Sequence, residues 1–415
     1  MMRKHLQRLS FLLLLALCTS ACRQTRPLTT LNLSSLYNPG EISHQAVQSL
    51  VYHSSDSFSN IYFRINRALL AQAMETLEAE EVHFRYALYP SFQATDWIDT
   101  GRISIVQAQI EGKQDPWYPF SISVPTLQGK TYILFLELID SPLLHHICLV
   151  DREWHFSQQN VLLTNIAGDP LFDPVLSAGQ ECRLSVADGS LRKLRVHYYQ
   201  RTFDVAWPPF AFNRPQAFDL DPDSVFYIPL ESGVSEAIRF PEEGMYHLLA
   251  EEGSMQGKTL LRFHPSFPLV LEPGQMLAPL QYLTSAREYS EMQESDNPKV
   301  AVDRFWLTQT GNVARARVRI QEFYSRVEQA NLFFTSYHEG WKTDRGLIYI
   351  IYGPPRRVFR TDEAEKWIYG EEGNPLSLRF TFMRVKNPFT LQDYSLTKSP
   401  TYKESWFNQV ETWRR

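Results

Sequence analysis

The stretch "GWKTDRGLIYIIYGPPRRV", residues 340–358, decides how the C-terminal part of the chain is read. It sets a Trp and a Thr-Asp-Arg trio before an unbroken apolar run, Leu347 to Tyr352, and stops on Gly353-Pro354-Pro355. A short apolar run bounded by Gly and Pro reads as a buried strand. Upstream, Val313, Ala316, Ile320, Phe323, Val327, Ala330 and Phe334 recur at steps of three and four, one stripe of a long helix. Asn312 is placed to cap that helix, and Gly340 to end it in the left-handed conformation. The pentad therefore reads as a connector between helix and sheet. Trp341 buries its ring at the junction, Thr343 or Asp344 accepts backbone N–H bonds, Arg345 pairs with a carboxylate, and Gly346 frees the backbone. A catalytic reading would make Thr343 a nucleophile or Asp344 a general base, but neither has a His or Lys at a recognisable local spacing.

Working outward, Trp367-Ile368-Tyr369 and the alternating Leu376-Leu378-Phe380-Phe382 read as a hairpin. Asn297-Pro298 opens a further helix. A last helix over 403–413 carries Trp406, Val410 and Trp413 on one stripe. Residues 269–415 thus form an α+β domain. Before it the period is two: Ile61-Phe63-Ile65, Val82-Phe84-Tyr86-Leu88 and Leu134-Leu136-Leu138 belong to one set of strands, Cys182-Leu184-Val186 and Leu194-Val196-Tyr198 to another. The expected fold is mainly β. It consists of two β-sandwich modules of immunoglobulin-like kind, 45–153 and 154–268, followed by the α+β domain.

The pentad Gly340-Trp341-Lys342-Thr343-Asp344 and its continuation through Arg345-Gly346, Ile348-Tyr349-Ile350 and Tyr352-Gly353-Pro354-Pro355 resemble the GWxTD domain of bacterial envelope proteins. Phe305-Trp306 and the helix bearing Phe323-Tyr324-Arg326-Val327-Ala330-Asn331 are similar to the same pattern. The resemblance covers about residues 270–415. It implies no established reaction, so it supplies a family and not a mechanism.

The other end carries an address. Arg3, Lys4 and Arg8 precede the apolar core Phe11 to Leu17, and Thr19-Ser20-Ala21 leads to Cys22. Residues 1–21 read as a secretory signal peptide, too short to span a bilayer. A Cys after small residues resembles the lipobox of bacterial lipoproteins. That resemblance implies cleavage before Cys22 and acylation of its thiol and new amino terminus, as by palmitate, leaving residues 22–44 as a lipidated tether. Arg23 in place of an Asp implies the outer membrane. The lack of an acidic cluster after Cys22, a surface-export signal in Bacteroidetes-like lineages, favours the periplasmic face.

The formal net charge of −5 argues against a nucleic-acid partner, which needs a basic footprint. Cys148 and Cys182 read as small buried hydrophobes, with a disulfide between them the alternative in an oxidising envelope. Nearby patterns stop short of a metal or cofactor site. His338-Glu339 lacks the second His of a zinc-protease helix. In His145-His146-x-Cys148 neighbouring side chains on a strand face opposite ways. Asp219-x-Asp221-x-Asp223 lacks the Gly and closing Glu of a calcium loop. Glu363-Glu365 and Glu371-Glu372 read as solvated carboxylates. No cofactor and no metal are expected.

The segment "FDVAWPPFAF", residues 203–212, sets Trp207, Phe210 and Phe212 around two prolines and is the candidate partner contact. The competing reading folds it over a sandwich end. Together these features predict a non-enzymatic outer-membrane lipoprotein whose two sandwiches project the C-terminal domain toward protein partners. Its task would be that of a scaffold or accessory subunit of a cell-envelope complex, in outer-membrane protein assembly or export. A glycan- or peptide-binding lipoprotein is the alternative, and an unrecognised hydrolase a third.

Overall fold

Period-two alternation builds the N-terminal half. A computed structural model describes residues 26–38, 46–139, 141, 144–212, 218–250, 253–371 and 373–415. The first sandwich holds β1 (Val47–His53), β2 (Phe58–Asn66), β3 (Glu81–Tyr89), β4 (Asp99–Val106), β5 (Trp117–Pro125), β6 (Thr131–Leu138) and β7 (His145–Asp151). Sheet β1-β2-β5 faces sheet β4-β3-β6-β7, every pairing antiparallel. Ile61, Phe63 and Ile65 from one sheet meet Phe84, Leu88, Leu134 and Leu136 from the other in a shared core. One helix, α1 (Arg67–Leu77), interrupts a region expected to be strands alone. Asn66 caps it by accepting from Ala68 N–H at 2.9 Å, and Leu70 and Met74, one turn apart, bury its inner face.

The second sandwich holds β8 (Val161–Thr164), β9 (Glu181–Val186), β10 (Lys193–Tyr199), β11 (Ser224–Pro229), β12 (Ile238–Arg239), β13 (Gly244–Leu249) and β14 (Gly257–Arg262). Sheet β12-β9-β8 packs on sheet β11-β10-β13-β14 around Leu184, Val196, Tyr246 and Leu248. Cys148 belongs to the first core and Cys182 to the second, and both are free thiols, so the disulfide alternative falls.

Helices gather in the C-terminal region: α2 (Pro273–Leu277), α3 (Ala286–Gln293), α4 (Pro298–Thr310), α5 (Val313–Phe334), α6 (Asp344–Tyr352) and α7 (Lys403–Trp413). They lie with the antiparallel sheet β15 (Arg357–Arg360), β16 (Ala364–Tyr369), β17 (Leu378–Arg384) and β18 (Tyr394–Leu396). Asn297 and Asn312 cap α4 and α5 through their side chains. The run Leu347–Tyr352, expected as a strand, is helical. It is apolar throughout because its surroundings bury Arg345 to Ile351 without a break, and such a run looks the same in a buried helix as in a strand. Gly340 also departs from expectation. The long helix ends at Phe334 with Thr335 extended, and Gly340 opens a separate 3₁₀ turn without a left-handed φ.

Two further readings are corrected. Residues 26–38, expected as part of a solvated tether, are packed: Leu28, Leu33 and Tyr37 are buried, and Leu33 N–H donates to Val358 C=O at 2.8 Å. Leu28, Leu31, Leu33, Leu36 and Tyr37 carry too much apolar surface to stay in water. Nor do the sandwiches project the C-terminal domain away from themselves. The outer face of sheet β4-β3-β6-β7 is apolar as well, and Ala87, Tyr89, Ile133 and Ile147 share one core with the N-terminal segment and the C-terminal helices. Cys22 and the signal segment lie outside the described residues.

Candidate functional site

The pentad is built as a knot of close backbone approaches. A Cβ on Gly340 would stand 2.0 Å from Ala330 C=O, and one on Gly346 would stand 2.0 Å from Gly340 C=O, so both positions exclude any other residue. The 3₁₀ turn Gly340–Lys342 hands over to α6 through Thr343, whose hydroxyl accepts from Gly346 N–H at 2.9 Å and donates to Gly340 C=O at 2.8 Å. Asn331 on α5 accepts from Trp341 N–H and donates to Pro268 C=O. The Trp341 ring is buried edge-on against Tyr282, whose hydroxyl donates to Trp341 C=O at 3.0 Å.

Asp344 stands at the first position of α6, where a carboxylate suits the positive helix end. One oxygen accepts from Leu396 N–H at 2.8 Å; the other is 3.9 Å from Lys398 Nζ. Burial raises its pKa, while the Leu396 bond and Lys398 pull the other way. Lys398 also donates to Trp207 C=O. The Thr343 hydroxyl, doubly bonded within its own turn, is held as a cap rather than aimed at a partner base.

Arg345 turns inward to a second cluster. Its side chain is buried, 4.1 Å over the Tyr394 ring, donates to Gln392 C=O at 2.9 Å, and lies 3.8 Å from Glu365. Glu365 is fully buried on β16 and receives hydrogen bonds from three side chains. Arg360 donates through Nε at 2.8 Å and Nη2 at 2.5 Å, Trp367 Nε1 at 2.7 Å, and the Tyr37 hydroxyl at 3.0 Å. Tyr37 in turn accepts from Arg360 at 2.8 Å. Burial alone would push the Glu365 carboxyl up, but Arg360 and Arg345 outweigh it and hold its pKa below the usual range. Burial, with Glu365 adding to it, raises the Tyr37 hydroxyl, so it stays a proton donor.

Sequence reasoning singled out Arg345 but placed Glu365 in solvent and left out Tyr37, Arg360 and Tyr394. One signal was present: Glu365 alternates with Trp367 on the inward face of an otherwise apolar strand. The proposed aromatic contact splits. Phe210 packs 5.5 Å from Phe407, while Trp207 and Phe212 are 48% and 69% exposed. Of the acidic turn, Asp223 and Asp219 pair with Arg201 at 2.6 and 3.6 Å, and no metal-holding cluster of His, Cys, Asp or Glu occurs among the described residues. His338 is stacked on Phe203 at 5.2 Å.

The architecture is that of a mainly β protein whose helices are gathered in an α+β C-terminal region. Residues 244–415, from β13 to the last residue, match the GWxTD domain family, and this part of the chain is a GWxTD domain. No curated protein matches the chain.

Proposed function

We propose that the protein is a non-enzymatic outer-membrane lipoprotein, anchored through Cys22, that acts as a scaffold or accessory subunit of a cell-envelope complex. Assembly or export of outer-membrane proteins is the task that fits this address. The observation that carries the reading is a contrast within one domain. Thr343 and Asp344 of the pentad hold the start of helix α6 in place, whereas Trp207, Phe212 and the half-exposed Phe407 lie uncovered. Exposed aromatic side chains grouped on a stiff segment are what protein interfaces use as anchors. Among the described residues no helix is long and apolar enough to cross a membrane, and acyl chains on Cys22 would supply the attachment.

The test places a photo-crosslinking amino acid at Phe212 in the intact cell. A discrete cross-linked protein partner, with the adduct lost from the membrane fraction in Cys22→Ser, is the expected result. Unchanged membrane fractionation of Cys22→Ser after alkaline wash would remove the anchor. Absence of any adduct from position 212 would remove the interface.

A further inference from the structure

The outer face of sheet β4-β3-β6-β7 carries two arginines side by side. Arg85 on β3 and Arg102 on β4 are direct partners in the antiparallel register, so their side chains leave the same face of the sheet side by side. Like charges in that position repel. Arg85 is answered by Glu137, its register partner on β6, to which it donates a hydrogen bond. Arg102 is exposed and makes no hydrogen bond or ion pair with any of the described residues. Beside Arg85 the sheet therefore presents a guanidinium with no carboxylate partner among the described residues, a fork of donors suited to a planar anion.

Around this pair lies a concave cavity of about 280 Å³, lined by Arg85, Arg102, Thr100, Tyr89, Phe135 and Trp97.

 A second cavity of the same sandwich, about 370 Å³, lies between α1 and Gln107–Glu111, and Glu75, Glu78, Glu80 and Glu111 make it acidic. The smaller one differs in chemistry. Trp97 is 45% exposed at its rim, an indole face left uncovered beside an unbalanced guanidinium. Tyr89 is buried beneath, its hydroxyl pKa raised by burial with Arg85 pulling against that rise.

The geometry points to a binding site for an acidic saccharide, with the Arg85–Arg102 pair taking a carboxylate and Trp97 stacking on the C–H face of the ring that carries it. A flat aromatic platform offers a sugar ring apolar contact while its hydroxyls stay in water. A carboxylate set between the two guanidiniums would remove the repulsion between them, so binding is strongest where the free protein is least satisfied. The site lies on the face of sheet β4-β3-β6-β7 turned away from that sandwich's core, and it stands independently of the scaffold reading.

The experiment is isothermal titration of the full chain with trigalacturonate, its methyl ester as the uncharged counterpart, and a tripeptide ending in Phe. Saturable binding of trigalacturonate is expected, with none of the ester. Arg102→Gln and Trp97→Ala should each weaken it on the order of tenfold, about 1.4 kcal/mol, and Trp97→Phe should recover part of the loss. Both side chains are exposed, so melting should stay at the wild-type value. Absent saturation, equal binding of the ester, or affinity untouched by the two substitutions would overturn the site. The tripeptide binding through the same residues in place of trigalacturonate would overturn the saccharide class.

Discussion

Residues 26–38 and 203–212 both cross the GWxTD domain without forming a strand of its sheet, yet the domain holds them in opposite ways. The first segment enters by its side chains: Leu33 is fully buried, and the Tyr37 hydroxyl completes the shell of Glu365. The second is pinned by backbone groups. Ala206 N–H donates to Lys342 C=O, Ser399 N–H to Pro209 C=O, and Lys398 to Trp207 C=O. Backbone pins fix a path and leave Trp207 and Phe212 outside. The difference separates a segment that is part of the core from one that presents a surface.

The largest effect should come from the carboxylate that the first segment helps to satisfy. Glu365→Ala removes the carboxylate that faces both Arg345 and Arg360 and leaves one buried and one largely covered guanidinium without it. Breaking a buried pair from one side costs about 3–5 kcal/mol, so chemical denaturation should show a loss of that size. Residues 26–38 should become protease-sensitive at the same time. A variant that melts like wild type would show that the cluster contributes little and that the segment is held by its leucines alone.

Acid should act next, and on the other segment first. Burial lowers the pKa of His53, His247 and His338 to about 4. A His whose folded value lies below its unfolded value binds more protons when unfolded, so stability falls as pH drops through the window from about 6.5 to 4. His53 and His247 are almost fully buried, and each should cost roughly 2 kcal/mol by pH 5. His338 lies under Phe203, so hydrogen exchange in the 203–212 segment should rise over the same window. Glu365, with a lowered pKa, keeps its charge there and loses its contribution only below the ordinary carboxylate range. Exchange that rises equally in both segments by pH 5 would erase the distinction.

How much of this was legible depends on whether the signal was local. The stripe on α5, the α7 stripe of Trp406, Val410 and Trp413, and the alternating strands declare themselves in sequence because each needs only its own period. The α6 run did not: a helix buried on all sides has no polar face to reveal its period. The ion cluster was hidden for another reason. Tyr37 and Glu365 are 328 positions apart, and nothing in either neighbourhood names the other. The leucines flanking Tyr37 were visible, but a short stretch bearing several Ser, Thr and Asn residues reads as solvated until its partner surface is known.

Tyr37→Phe asks how much of the first segment's hold is the hydroxyl itself. The ring keeps its contacts with Phe334 and Trp367 at 5.0 and 5.4 Å, so the losses are the bonds to Glu365 and those from Arg360 and Arg345. Because Glu365 retains Arg360 and Trp367, the expected loss is about 1–2 kcal/mol. A loss as large as that of Glu365→Ala would make the hydroxyl, and not the ion pair, the centre of the cluster.

The smallest effect on stability should fall on the second segment, and there the value lies in the contrast between two readouts. In Trp207→Ala combined with Phe212→Ala, both truncated rings are about half exposed or more, and the pins through Ala206, Pro209 and Lys398 use backbone atoms that the substitutions leave in place. Surface changes of this kind shift stability by about 0.5 kcal/mol or less. Melting and the protease resistance of residues 203–212 should therefore match wild type. Partner capture at a photo-crosslinker moved to Phe407 should fall, because that side chain packs beside Phe210 on the same exposed surface. If the double variant instead melts several degrees lower, the rings are structural and the two segments are alike after all. If melting and capture are both unchanged, the surface is exposed for no binding purpose, and the interface must be sought elsewhere on the GWxTD domain.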